Sequence, residues 1–189
     1  QDYSESGYFI FNTLLFLIGG FLVMWMAAGF AMLETGLVRS KNASTQLLKN
    51  VALFSLASIA YFIVGFNLMY PGDGWIINGW MGGFSLTGLE PAGVGADGVD
   101  LTYASVGSDF FFQLMFCAAT ASIVSGTVAE RVKLWPFLIF TIVLTGIFYP
   151  ISASWQWGGG WLSEAGFSDF AGSTVVHATG AAAALAGAM

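Results

Sequence analysis

Charge is what this sequence has least of. Asp, Glu, Lys and Arg make up 8% of its 189 residues, against 57% hydrophobic residues. A water-soluble domain needs about 25% charged residues to cover its surface, so a soluble globular fold is excluded. Residues 6–33, 50–72, 110–129, 134–163 and 170–189 carry no formal charge at all. Each run is long enough for a helix to cross a ~30 Å hydrocarbon layer, which takes about 20 residues. The chain therefore reads as an all-α polytopic membrane protein with five transmembrane helices, at roughly 8–33, 46–69, 108–128, 134–154 and 170–189.

Cysteine and histidine are nearly absent. Cys117 is the only cysteine, which excludes a disulfide framework and a cysteine zinc site. His177 is the only histidine, so neither a His-rich metal site nor a haem held by two histidines fits. No Ser/His/Asp order, no pair of acids inside a span and no phosphate-binding glycine loop is present. No Lys lies deep in a span, where a retinal-type Schiff base would need one. Neither an enzyme nor a cofactor is expected. The net charge of −6 suggests a cationic partner, although in a membrane protein the distribution of charge matters more than its sum, and no nucleic acid is expected. A start at Gln1 rather than Met fits a removed signal peptide or a trimmed chain.

The basic residues that do occur fall at two places. Arg39, Lys41 and Lys49 surround the first connection, and Arg131 and Lys133 lie in the third. Positive residues stay on the cytoplasmic side, which puts the N-terminus outside. Asp2, Glu5, Asp73, Glu90, Asp97, Asp100, Asp109, Glu164 and Asp169 then lie towards the external face. The long segment between spans two and three is rich in Gly and Trp. It either caps the outer face or supplies interfacial anchors through Trp75 and Trp80. The last residues, "AAAALAGAM", stop inside an unfinished helix without a cap, as expected of one part of a larger polytopic protein.

Few side chains are left to carry chemistry. His177 sits among small apolar residues, eight positions after Asp169. Its helical neighbours Ser173, Ala181 and Ala184 are small, so this face packs tightly on another helix or lines a narrow path. An intramembrane ionisable residue marks a substrate or proton pathway by default, and a neutral imidazole offers one donor and one acceptor. Asp169 reads either as a helix cap or as an attractor of cations. Phe112, Phe116, Ala119 and Ile123 share one face of the third span, which periodicity alone reads as a lipid or core stripe. In "SWQWGGGWL", Trp155, Trp157 and Trp161 surround three glycines. They are either interfacial anchors or an exposed indole face that holds a cation.

Taken together these motifs resemble the ammonium transporter family. "AGFAMLETGLVRSKN" (28–42) is similar to its first cytoplasmic connection. "SGTVAERVKLWPFLIF" (125–140), "WQWGGGWL" (155–162) and "DFAGSTVVHATGAAAALAGA" (169–188) are similar to its third-to-fifth helix signatures. The resemblance covers almost the whole chain except the external loop. It implies the first half of an eleven-helix, inverted-repeat fold. By the same resemblance, Phe116 matches the external pore-gating phenylalanine, with Phe112 one turn further out. Trp157 matches the vestibule tryptophan that recruits the cation, Asp169 the aspartate that organises the vestibule backbone, and His177 the first of two pore histidines.

The resemblance further implies transmembrane ammonium transport. A cation is recruited at the external aromatic vestibule and deprotonated, and ammonia then crosses a hydrophobic pore lined by histidine. Moving the intact ion through such a pore costs several kcal/mol or more in lost hydration, and the neutral molecule avoids most of that. The setting it implies is the plasma or inner membrane, as a homotrimer, with a cytoplasmic P-II type regulatory protein as a possible partner. The alternative is an ammonium-sensing membrane domain coupled to a C-terminal signalling domain. "QLMFCAA", around the gate, is bulkier and less polar than in many members, and the second pore histidine, second gating phenylalanine and vestibule serine belong to later helices.

Overall fold

A computed structural model describes residues 3–86 and 103–189. The acids Asp2, Glu90, Asp97 and Asp100 lie outside the described residues. Helix α1 runs Tyr3–Leu37 and a short 3₁₀ turn, Ser40–Asn42, leads into α2, Ala43–Ala60. A π-helical turn, Tyr61–Gly65, joins α2 to α3, Phe66–Met69. Outside this bundle, β1 (Trp75–Ile77) and β2 (Met81–Gly82) form an antiparallel hairpin. Helix α4 spans Val106–Thr127, and α5, Leu134–Val143, continues through a second π turn, Leu144–Phe148, into α6, Tyr149–Ser154. The short α7, Trp161–Glu164, precedes α8, Val175–Ala188.

Among the described residues, four helical stretches are long and apolar enough to cross a membrane: Gly7–Leu37, Ser40–Met69, Val106–Thr127 and Leu134–Ser154. They agree with the first four spans read from the sequence. The fifth is corrected. It begins at Val175 rather than near residue 170, which leaves 14 residues, or about 21 Å at 1.5 Å per residue. The preceding Gly172 has φ +74°, in the left-handed region, and the chain from Phe170 to Thr174 does not coil into the helix.

Helix α4 is the centre of the packing and touches α1, α2 and α8. Its buried positions include Cys117, Ala118, Ala121 and Ser125, each at 0–1% exposure. Lipid tails supply no hydrophobic drive between helices, so association depends on such small residues letting backbones close in. Its start is fixed by Ser105, whose hydroxyl accepts from the Ser108 N–H. Gly180 of α8 faces Ile123, and a Cβ there would lie 3.0 Å from the isoleucine. Helix α1 keeps a wide apolar surface, including Phe11, Trp25 and Met32, turned away from the bundle.

The two π turns lie against each other. In the second, the ring of Pro150 removes the N–H that would bond Gly146 in an α-helix. The Thr145 carbonyl takes the Cys117 thiol instead, at 3.4 Å. Gly65 of the first turn fits here because a Cβ would meet Pro150 Cγ and Thr145 O, both at 3.1 Å.

At the end of the bundle where the basic residues gather, Glu130 closes α4 in the left-handed conformation, φ +62°. Its carboxylate accepts from the Asn42 amide and from the backbone N–H and Nε of Arg39, tying the first and third connections together. The Asn42 bond is the largest cause holding its pKa below the ordinary carboxylate value, followed by the Arg39 backbone N–H.

Candidate functional site: an aromatic and histidine-lined cavity

A cavity of about 360 Å³ runs between α1, α4 and the start of α8. Its wall includes Phe16 and Gly19 of α1, Phe112 and Phe116 of α4, and His177 of α8. The spacing of the α4 residues explains their role. Phe112, Phe116 and Ala119 follow one another on one helical face, and that face lines the cavity rather than lipid. Ile123, the fourth member of the stripe, packs on Gly180 instead.

The rings form a continuous series. Phe112 meets Phe116 edge-on with centroids 4.8 Å apart, and the Trp157 ring lies 6.2 Å from that of Phe116. Trp157 is held by its indole N–H, which donates to the Asp169 carbonyl at 2.8 Å. The three tryptophans of "SWQWGGGWL" therefore separate. Trp155 and Trp161 turn away to meet Trp80 of the β1–β2 hairpin: Trp80 stacks on Trp161 at 4.8 Å, and Trp155 Nε1 donates to the Trp80 carbonyl. Gly160 permits the close approach, since a Cβ there would lie 2.7 Å from Gly79 O. The hairpin thus covers Trp155 and Trp161, and of the three tryptophans only Trp157 reaches the cavity's aromatic series.

Asp169 sits on the backbone rather than in the cavity lining. Its Oδ2 accepts from the N–H groups of Thr174 and Val175 at 2.9 and 2.7 Å, and Ser173 Oγ lies 3.4 Å from Oδ1. The side chain caps α8 from several residues upstream, and its carbonyl positions Trp157. Burial alone would raise its pKa. The backbone bonds from Val175, Thr174 and Gly172 outweigh that and hold it below the ordinary value of 3.8. A carboxylate depressed on folding stabilises the fold above its unfolded pKa and loses that contribution as pH falls through the folded one. Asp169→Asn should therefore cost stability at neutral pH, with the gap from wild type closing only below about pH 4. Thermal unfolding followed across pH 3–7 checks this, and a gap that closes near pH 6 contradicts it.

His177 occupies the third position of α8, not a site eight residues inside a helix, because the helix starts later than its sequence suggests. Its Nδ1 lies 3.3 Å from the Gly172 carbonyl. A carbonyl can only accept, so Nδ1 is the donor there and Nε2 is an acceptor in the neutral ring. The expected small-residue face divides. Ala184 is buried, Ser173 precedes the helix, and Ser173 and Ala181 are exposed. His177 is exposed too, and lines the cavity wall.

Two polar clusters escaped the sequence reading. Glu34, 2% exposed, ends the first charge-free run, and its Oε2 accepts from Gln46, Asn50 (2.8 Å) and Ser125 (2.8 Å). Lys49, 6% exposed, donates to the Ser125 carbonyl and lies over the Phe137 ring. The polar residues at 46, 49 and 50, one turn apart at the start of an apolar helix, were the available signal. In the second cluster Gln113 donates to the Tyr70 hydroxyl at 2.9 Å, and that hydroxyl lies 3.5 Å from Asp109.

The sequence profile that defines the Ammonium Transporter Family matches residues 14–189. The chain belongs to the ammonium transporter family. It is 44% identical over 183 residues to "Ammonium transporter Amt2" of Archaeoglobus fulgidus, covering 92% of this chain and 36% of that protein. Among solved structures, "Sensor Amt Protein" is 34% identical with a TM-score of 0.78, covering 95% of this chain and 43% of that one. Saccharomyces cerevisiae Mep2 is 26% identical with a TM-score of 0.75, covering 92% and 38%. The chain thus spans less than half the length of these ammonium transporter relatives, and its helices follow the all-α fold of the Amt and Mep structures.

Proposed function

We propose that this chain forms the N-terminal part of an ammonium-conducting membrane domain, set in the cell membrane with its N-terminus outside. One observation carries the reading: a single apolar cavity has Phe112, Phe116 and the lone His177 in its wall, with Trp157 beside Phe116. Trp157 takes the cation on its indole face, where desolvation raises a cation–π contact to about 2 kcal/mol. Phe116, with Phe112 outside it, is the gate. The cation gives up a proton near the gate, to water or to the second ring nitrogen of His177, and neutral ammonia passes with His177 as its polar contact. Asp169 keeps the vestibule in shape, and no catalysed covalent chemistry is involved. A homotrimer and a P-II type regulator belong to the same reading, on family membership alone.

Trp157→Leu in the full-length protein tests it. The half-saturating ammonium concentration should rise about tenfold, the equivalent of 1.4 kcal/mol, while thermal stability changes little. An unmoved half-saturation would leave the indole as an interfacial anchor.

A sensing role is favoured by a separate observation, the likeness to a solved protein named as a sensor. In that reading the same cavity binds ammonium and passes little of it, and a cytoplasmic signalling domain reads the occupancy. Ammonium pulses on vesicles separate the two: sustained flux supports transport, and saturable binding without flux supports sensing.

A further inference from the structure

Phe16 had no place among the residues picked out from the sequence. It stacks on Phe112 with ring centroids 5.1 Å apart and planes inclined by 18°. Phe112 in turn stands edge-on to Phe116, so the α1 ring is the first of a series of four that ends at Trp157. One turn along α1, Gly19 leaves the room that Phe112 occupies. A Cβ on Gly19 would lie 2.7 Å from Phe112 Cε2, closer than carbon atoms approach. Phe112 is thus held by a ring on one side and by the absence of a side chain on the other.

The same point of α1 is tied to the outer surface. The Tyr103 ring meets Phe16 edge-on at 5.5 Å. Beside it, Asn12 donates to the Tyr103 carbonyl at 2.9 Å, and the Ser105 N–H donates to Thr13 Oγ1 at 3.0 Å. Phe16 is therefore the junction of α1, the segment leading into α4, and the aromatic series. It also lines the cavity itself.

We propose that Phe16 is a specificity-determining residue of the cavity mouth, acting by positioning Phe112 and through it Phe116. The inference rests on the gate reading of Phe112 and Phe116. With Phe16 in place, the Phe112 ring cannot swing towards α1, and the opening beside Phe116 stays narrow. Without it, the ring gains that space, and a cation one methyl group larger than ammonium is rejected less well. Stacked aromatic pairs contribute enough to shift a preference about two- to tenfold.

The experiment uses the full-length protein in phosphatidylethanolamine/phosphatidylglycerol vesicles, with half-saturation and maximal flux measured for ammonium and for methylammonium. Phe16→Ala and Phe16→Leu should each move the methylammonium-to-ammonium preference about two- to tenfold towards methylammonium, and Phe16→Tyr should restore it. The leucine variant keeps apolar volume and serves if the alanine variant does not fold. In a Phe112→Ala background the Phe16 substitutions should have no further effect. An unchanged preference in both Phe16 variants, or the same shift with Phe112 already removed, overturns the proposal. Wild-type vesicles without ammonium flux would overturn the transport reading and this inference together. Normal flux with insensitivity at Phe16 overturns this inference alone.

Discussion

His177→Ala in the full-length protein should abolish ammonium-driven current or reduce it at least tenfold. In the cavity wall the imidazole is a polar group among Phe16, Phe112, Phe116, Phe170 and smaller apolar side chains. A polar molecule entering such a space loses hydrogen bonds to water, at a cost of roughly 1–3 kcal/mol for each that is not replaced. The donor at Nδ1 is already turned to Gly172 O, which leaves the other ring nitrogen to meet a guest. Alanine offers it nothing. Solid-supported membrane currents on ammonium pulses give the measurement, with potassium as the control ion. Unchanged current and unchanged rejection of potassium would remove His177 from the pathway.

The second large effect concerns stability. Glu34→Leu should lower the stability of the folded protein by about 3 kcal/mol or more, since removing one member of a buried charged network leaves its partners stranded. Gln46, Asn50 and Ser125 all donate to one carboxylate oxygen, and no substituted leucine can accept from them. Lys49 loses the negative charge of Glu34, which acts on it electrostatically, in the same step; the two residues lie on α2 and α1, whose ends this cluster joins to α4. Glu34→Gln keeps an acceptor oxygen and should cost less than half as much. Thermal unfolding in detergent, followed by intrinsic fluorescence, reads both. Equal melting temperatures for leucine and wild type would mean that water reaches these donors.

Much of the architecture was readable because membrane spans have a coarse signature. A run without charge about 20 residues long is hard to mistake, and four of the five spans end within a few residues of the helices found. The fifth failed for a local reason. Asp169 was read as adjoining the helix it caps, whereas it reaches forward to the N–H groups of Thr174 and Val175 across a left-handed glycine. The error carried into the depth assigned to His177. Phe112, Phe116 and His177, which line one cavity, stand out in the sequence through motif resemblance, whereas the helical spacing of the α4 residues by itself reads only as a lipid or core stripe. Phe16 does not stand out, because a phenylalanine in a uniformly apolar helix has no distinguishing neighbour in sequence. Its importance comes from a ring 96 positions away. Glu34 was overlooked for a different reason. A carboxylate at the end of a hydrophobic run looks like the boundary of the membrane, and only the packing of α1, α2 and α4 encloses it.

The paired π turns bear on how this geometry is inherited. Each amounts to an α-helix with one residue too many, and everything beyond it is turned by about 100° relative to an unbroken helix. Beyond Leu144–Phe148 lie Trp155 and Trp157, and beyond Tyr61–Gly65 lies the hairpin that carries Trp80. Deleting a single residue from either turn would yield a more regular helix and swing those indoles off their partners. The orientation of these tryptophans is therefore stored as helix phase, at two turns midway along the spans that lead to them.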